Sequence, residues 1–274
     1  MSESDVDLVD LVERSRGGDS AALEALIVEV RDPVHRLALR MTACPQDAED
    51  ATQEILIKVM TRLDSFRGDA AVTTWVYRVA ANHLLDRAKS TTERLSMTFS
   101  RFADDLHTDL AAPTAATDPA NDLLAREVKQ GCTLALLTCL DRESRLAYVL
   151  GDIIEVPAAT GAEICSIAEP AYRKRLSRAR RKVRAFLETN CGLVNPAAAS
   201  CHCRRRVPAA IAAGRVDPAG VLAASAQVLD ATAEIETIYD AAQLLRSRAD
   251  PGAPRQLTDR LVELVQSGRF RVLD

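Results

Sequence analysis

Apolar residues recur every three or four positions along most of the chain, which is the spacing of a helix with one buried face. The pattern predicts helices over residues 6–16, 19–43 and about 72–89, and a further helix that begins at Pro45. Few β-branched runs follow the period of two that a strand requires. We therefore expect an all-α protein.

The most basic stretch of the chain lies within residues 171–187. Eight of the twelve residues from 173 to 184 are Lys or Arg, and the apolar residues among them form one helical stripe. A short helix over residues 158–164 and a tight turn over 165–169 are predicted just before it. Two helices joined in this way, the second one basic, are typical of a helix-turn-helix with its recognition helix. The alternative is an ordinary solvated basic face on a bundle helix.

Composition narrows the class of protein. A length of 274 residues favours two domains or three. The net charge of −4 does not indicate a nucleic-acid binder, but the concentration of basic residues on one helix does. No signal peptide or apolar run of membrane length is present, so we expect a cytoplasmic protein that does not enter a membrane. Seven cysteines in a reducing compartment do not indicate a disulfide framework.

Three separated motifs identify a family resemblance. They are D-x-x-D-x-x-Q-E at residues 47–54, F-R-G-D at 66–69 and T-W-x-Y-R-x-A-x-N at 74–82. In this order they resemble region 2 of bacterial sigma factors of the extracytoplasmic-function (ECF) type, members of the sigma-70 family. The basic helix resembles region 4.2 of the same family, and the resemblance covers roughly residues 19–190.

The resemblance implies two helical sigma domains joined by a flexible linker and followed by a helical C-terminal extension. The linker mixes Ser, Thr, Pro and Ala with aspartates. In the family this segment threads through the polymerase, whereas the alternative is a passive tether. The expected domains are 1–90 for region 2, 91–122 for the linker, 123–190 for the region 4 helix-turn-helix, and 191–274 for the extension.

The resemblance also implies the function: binding of core RNA polymerase and promoter-specific transcription initiation through −10 and −35 recognition. An anti-sigma factor is a further expected partner. In the family the acidic third helix docks on the largest polymerase subunit, and the residues that match here are Asp47, Asp50, Gln53 and Glu54. The alternative for this group is a solvated helix face.

In the family, the fourth helix and the loop before it capture an unstacked base of the −10 element, and the recognition helix reads the −35 element. A captured base is held by stacking and by hydrogen bonds to its edge. Trp75 also lies on the fourth helix, but we expect it in the core rather than against a base, because a lone Trp on a helix belongs more often to the core. The implied DNA-binding residues are Phe66, Arg67, Arg78, Asn82, Arg87, Lys89, Tyr172, Arg173, Lys174, Arg175 and Arg178.

The helix-turn-helix departs from the family pattern at three places, one of which is Ala168-Glu169, where the recognition helix usually has a Ser or Thr cap. The first helix carries Thr160-Gly161-Ala162, and Ser166 stands where the turn usually has glycine. Because that glycine commonly takes a positive φ, Ser166 is expected to impose a small strain. The −35 sequence preference therefore cannot be carried over from relatives.

The extension contains a cysteine group of its own. Cys191 precedes a Cys201-His202-Cys203 run, and these thiols could hold zinc or another soft metal, with His202 or a distant group as the fourth ligand. The alternative is a reduced structural loop. By its position, the extension is expected to regulate the factor from within the chain.

Two other functional classes are alternatives to a sigma factor. A stand-alone helix-turn-helix regulator would bind duplex DNA without polymerase. An enzyme is not expected, because the chain lacks the G-x-S-x-G, H-E-x-x-H, Walker A and G-x-G-x-x-G motifs.

Overall fold

The computed structural model describes residues 3–87, 97–111, 119–197 and 199–225, together with 245–246, 252–254, 259–261 and 263. The described part is helical and contains no strand, which confirms the all-α prediction. None of its helices is long and apolar enough to cross a membrane.

α-Helices make up most of the described residues. In chain order they are α1 (Glu3–Arg16), α2 (Ser20–Thr42), α3 (Pro45–Thr61), α4 (Val72–Asp86), α5 (Phe99–His107), α6 (Pro119–Thr138), α7 (Arg142–Tyr148), α8 (Ala158–Ile164), α9 (Glu169–Asn190), α10 (Cys203–Ala212) and α11 (Pro218–Ser225). A 3₁₀ turn at Leu63–Ser65 follows α3, and a π-helical turn at Val149–Ile153 continues α7.

The chain divides into two compact units. The first unit comprises Met1–Leu95, Arg142–Leu176 and Ala249–Asp274, and the second comprises Ser96–Asp141 and Ser177–Arg248. Residues 123–190, expected from the sequence to form one domain, are shared between the two units. The domain boundaries given above therefore stay predictions.

In the first unit, α2 packs against α1, α3 and α4. Helix α2 starts where Asp19 accepts hydrogen bonds from the Ala21 and Ala22 N–H groups, and α3 starts with Pro45 in its first turn. The apolar stripes predicted from the sequence are buried between these helices. The fully buried large side chains of the first unit include Leu26, Ile27, Leu37, Ile55, Leu56 and Met60.

The predicted helix-turn-helix is present. Helix α8 covers residues 158–164 as expected, and α9 begins at Glu169. Between them, Ser166 has a φ of 53°, in the left-handed region that glycine adopts without strain. The expectation that Ser166 occupies a glycine-like position is therefore confirmed.

Part of the predicted flexible linker is a helix, so the prediction is wrong for residues 99–107. Thr98 caps α5 by accepting a hydrogen bond from the Arg101 N–H, and Phe102 and Leu106 are buried. The Phe102 ring stacks on the Phe186 ring of the second unit, with centroids 5.3 Å apart. The Ser, Thr and Asp content hid this short apolar stripe.

In the second unit, α6 packs against α10 and α11. Its core cluster consists of Leu124, Ala125, Val207, Ala210 and Val216. Helix α6 also takes up residues 119–122, which the sequence placed in the linker. Most of the helical extension expected after residue 225 lies outside the described residues. Lys89, one of the implied DNA-binding residues, also lies outside them.

Candidate nucleic-acid interface and polymerase-docking face

The acidic face of α3 is only partly exposed. Asp50 and Glu54 face solvent, whereas Gln53 is half-buried. Asp47 is held by Arg87 of α4: Arg87 Nη1 donates to the Asp47 carbonyl oxygen at 2.8 Å, and Nη2 lies 3.6 Å from Oδ1. Both side chains are about four-fifths buried, with 21% exposed. They therefore join α3 to α4, and neither is presented freely to polymerase or DNA as the resemblance implied.

A buried histidine links the same two helices. His83 of α4 has Nδ1 at 2.8 Å from Lys58 Nζ and Nε2 at 3.4 Å from a Glu54 carboxylate oxygen. Because an ammonium group can only donate, Nδ1 accepts this hydrogen bond from Lys58. Burial, and next the Lys58 charge, lower the pKa of His83. Glu54 and Lys58, four residues apart on α3, thus both contact His83 across the helix interface.

This histidine makes stability depend on pH. Because the pKa of His83 is lower in the folded protein than its ordinary value of 6.5, the unfolded chain binds more protons near and below that pH. The free energy of unfolding should therefore fall as the pH drops from about 7 through the folded pKa. Urea unfolding at a series of pH values gives the free energy of unfolding at each pH. This free energy should depend less steeply on pH in His83→Gln than in wild type, and Lys58→Met should be intermediate. The same pH dependence in wild type and His83→Gln would contradict this assignment.

The loop before α4 has a buried anchor and an exposed tip. Phe66 is 4% exposed and meets Trp75 edge to face, with ring centroids 5.8 Å apart. Arg16 lies over the Phe66 ring and donates to the Leu63 and Phe66 carbonyls. The core position expected for Trp75 is confirmed. Phe66 is buried too, so its ring is not available to stack on a base, contrary to the expectation.

A cavity of about 390 Å³ opens beside this loop. This volume falls within the range of small-molecule sites. Arg67 and Arg78 line it, and Arg78 Nη1 lies 3.6 Å from a carboxylate oxygen of Glu163 on α8. Asn82 is exposed, one helical turn beyond Arg78 on α4. Arg67, Arg78 and Asn82 thus keep positions from which they could meet a nucleobase.

Helix α9 has one buried face and one basic face. The apolar stripe predicted from the sequence is buried, and Arg173, Lys174 and Arg178 are exposed. Arg173 forms an ion pair with Glu169 at 2.5 Å, and the half-buried Arg175 forms one with Glu143 at 2.6 Å. Lys174 and Arg178 therefore present the basic charges best placed for DNA.

Tyr172 belongs to the core rather than to the DNA-binding face, which corrects its assignment. The residue is fully buried, and its hydroxyl donates to the Ala147 carbonyl oxygen at 3.1 Å. Gly161 makes room for the ring, since a Cβ at this position would lie 2.3 Å from Tyr172 Cζ. The Gly161 that departs from the family pattern is thus explained by close packing of α8 on α9.

The cysteines of the extension are brought near one another. Cys201 is buried, Cys191 and Cys203 are partly buried, and the Gly192 N–H donates to the Cys201 carbonyl oxygen at 2.8 Å. His202 packs its ring against the Gly192 backbone. Within the described residues, no group of three or more His, Cys, Asp or Glu side chains is arranged to hold a metal ion.

Comparison with known proteins identifies the class and then the family. The sigma-70 region 2 family model matches residues 26–94, which include α3 and α4. The ECF RNA polymerase sigma-E factor of Escherichia coli K12 is 30% identical over 184 residues, which are 67% of this chain and 95% of that protein. ECF RNA polymerase sigma factor SigM of Mycobacterium tuberculosis H37Rv is 28% identical over 173 residues, 62% of this chain and 79% of that protein.

Among solved structures, that of CnrH in complex with the cytosolic domain of CnrY covers 66% of this chain and 97% of its own, with 20% identity and a TM-score of 0.47. Two features of the fold agree with the sequence matches: the helical bundle that contains the acidic α3, and the basic helix α9. The chain belongs to the ECF RNA polymerase sigma factors.

Proposed function

We propose that this sigma factor binds core RNA polymerase through the exposed carboxylates of α3 and promoter DNA through α4 and α9. One observation supports the proposal above the others. The chain combines a region 2 bundle whose α3 exposes Asp50 and Glu54 with a helix-turn-helix whose α9 exposes Lys174 and Arg178. A stand-alone helix-turn-helix regulator would need no region 2 bundle, so that alternative is not favoured.

The docking assignment narrows to Asp50 and Glu54. Asp47 and Gln53 are partly buried, and Asp47 is engaged by Arg87. Glu54 also lies near His83, so a change at Glu54 alters the helix interface as well as the surface. Asp50 is therefore the residue that tests docking with the least effect on the fold.

Asp50→Lys should weaken binding to core polymerase about tenfold or more, because a cation replaces a carboxylate at a complementary surface. Glu29→Lys is the matched control, since Glu29 is exposed on α2 and the charge change is the same. Fluorescence anisotropy with labelled factor and purified core enzyme measures both affinities. Equal affinities for the two variants would remove the docking role of α3.

The −10 assignment rests on the cavity beside the loop. Arg67 and Arg78 line this cavity, and the exposed Asn82 offers an amide that can both donate and accept hydrogen bonds at a base edge. Entry of a base there requires Arg78 to exchange its Glu163 contact for DNA. Arg87 supports α4 through Asp47 and acts indirectly in this proposal.

Asn82→Ala should slow open-complex formation about tenfold while leaving binding to −35 duplex unchanged, since one base-edge contact contributes about 1–3 kcal/mol. Thr73→Ala, also exposed on α4, is the control. Permanganate footprints of the −10 region report the melted thymines over time. Footprints that develop at the same rate in Asn82→Ala and wild type would contradict base capture by this residue.

The extension is proposed to regulate the factor from within the chain, beside control by an anti-sigma factor. One contact supports it: the Ala253 N–H donates to Asp32 Oδ1 of α2 at 3.1 Å, and Ala253 is buried. We further expect the protein to act in the cytoplasm and to have no catalytic activity of its own.

A further inference from the structure

Three separate segments of the second unit bring cysteines together. Cys132 belongs to α6, Cys191 follows the end of α9, and Cys201 and Cys203 stand at the start of α10. The sequence motif contains only the last three. Cys132 is 59 residues away from Cys191, so only the fold reveals that it joins them.

The backbone fixes the 191–203 loop at both ends. The Val194 and Asn195 N–H groups both donate to the Cys191 carbonyl oxygen, which turns the chain sharply after α9. The Gly192 N–H donates to the Cys201 carbonyl oxygen, which brings the two cysteine segments side by side. A Cβ at residue 192 would lie 2.6 Å from the His202 ring and 2.7 Å from the Cys201 carbonyl oxygen. The close approach therefore requires glycine.

Packing of α10 on α6 adds the fourth thiol. Cys203, the first residue of α10, packs with Val128 of α6 against the core cluster of the second unit. Cys132 stands one helical turn after Val128 on the same side of α6. Cys132 therefore lies on the face of α6 that packs against the start of α10.

Electrostatics agree with this placement. Burial raises the pKa of every one of the four thiols, to about 12 for Cys203 and about 11 for Cys201. For Cys132 the next cause is the other three cysteines, whose thiolate forms would disfavour a second thiolate beside them. Cations also lie near the group: Lys129 interacts electrostatically with Cys191 and Cys203, and Arg205 and Arg206 interact with Cys201.

We propose that Cys132, Cys191, Cys201 and Cys203 bind one zinc ion as a four-thiolate site that closes the second unit. Four cysteines are a common ligand set of structural zinc, and two of them lie in a C-x-C pair held at a helix start. The side chains are not placed for a metal in this structure, so binding requires them to turn to other χ1 rotamers. Each thiol releases its proton to solvent as its Zn–S bond forms, and Lys129, Arg205 and Arg206 balance the net negative charge.

This ligand set differs from the one that the sequence suggested. His202 would have completed a three-cysteine site, but its ring packs on Gly192, whereas Cys132 lies on the face of α6 that packs against the start of α10 and takes the fourth place in our proposal. The two sets make opposite predictions for single substitutions, which gives a direct test.

The test uses the full-length protein, purified without chelator in a phosphine reductant and then supplied with zinc or cobalt. Wild type should retain one zinc ion per chain by elemental analysis after gel filtration, and its cobalt form should show the intense sulfur-to-metal absorption of a four-thiolate site. Cys132→Ser should lose at least tenfold in zinc affinity, measured by competition with a chromophoric chelator. Cys139→Ser is the matched control, because Cys139 lies just beyond α6 and its sulfur donates to the Ala135 carbonyl oxygen instead.

His202→Ala should keep both the zinc and the cobalt spectrum. Circular dichroism accompanies each titration to show whether Cys132→Ser is folded, and Cys201→Ser provides a second ligand variant. Absence of zinc in reconstituted wild type overturns the proposal, and so does undiminished zinc binding by folded Cys132→Ser. Loss of zinc in His202→Ala with retention in Cys132→Ser would establish the other ligand set and reject ours.

Discussion

Gly161→Ala should destabilise the helix-turn-helix by about 3 kcal/mol, although alanine is the better helix former. The added Cβ would lie 2.3 Å from Tyr172 Cζ and 2.4 Å from its hydroxyl oxygen. The ring cannot move away easily, because it is fully buried and its hydroxyl donates to the Ala147 carbonyl oxygen. Urea unfolding followed by circular dichroism measures the loss.

Gly131→Ala is the matched control for this substitution. Gly131 lies inside α6, and a Cβ there would meet nothing within 4 Å. The control should be neutral or stabilised by up to about 1 kcal/mol, since alanine gains helix propensity without a clash. Combining Gly161→Ala with Tyr172→Leu should cost less than the sum of the two single changes. Additive costs, or a neutral Gly161→Ala, would show that the Tyr172 ring does not pack on α8 in this way.

The sequence predicted the helices well because helical periodicity is a local property. The bounds of α2 and α8 and the buried stripe of α9 all follow from residue spacing, and Trp75 was correctly placed in the core. The family pattern marks Ser166 as a turn position that usually has glycine, and its φ of 53° agrees. These features depend on neighbours within a few residues.

The parts that sequence reasoning missed depend on contacts between distant segments. Phe66 and Tyr172 are aromatic residues in motifs that resemble DNA-binding regions, yet both are buried by helices that periodicity cannot orient. Asp47 was counted as exposed because its partner Arg87 is 40 residues away. Cys132 had no local signal at all, since its role depends on how α10 packs against α6.

The same contacts change which basic residues should be substituted to test −35 binding. Arg173 and Arg175 are among the DNA-binding residues that the resemblance implies, but each forms an intramolecular ion pair, with Glu169 and Glu143 respectively. Removing Arg175 would therefore alter the packing of α7 and α9 as well as any DNA contact. Lys174 and Arg178 are exposed one turn apart on α9, so their loss reports on DNA more directly.

Lys174→Ala with Arg178→Ala should weaken binding to −35 duplex by at least about 30-fold, because two contacts from the start of a recognition helix, at about 1–3 kcal/mol each, contribute at least about 2 kcal/mol together. If both side chains contact phosphates, the slope of log affinity against log salt should fall by about 1.8, or about 0.9 for each contact. The duplex is chosen by run-off transcription on a genomic library, and anisotropy titrations at several salt concentrations give the slope.

Arg184→Ala serves as the control for this double variant, because Arg184 is exposed on the same helix, about 9 Å beyond Arg178 and about 15 Å beyond Lys174 along the helix axis. Its loss should change affinity by less than about threefold and leave the salt slope nearly unchanged, since recognition helices contact the major groove mainly near their N-termini. If Arg184→Ala bound the −35 duplex more weakly than the double variant does, α9 would contact DNA through its C-terminal half. Equal affinity of all three proteins would mean that α9 does not bind DNA. The first result would move the −35 contact along the helix, and the second would remove it from α9 altogether.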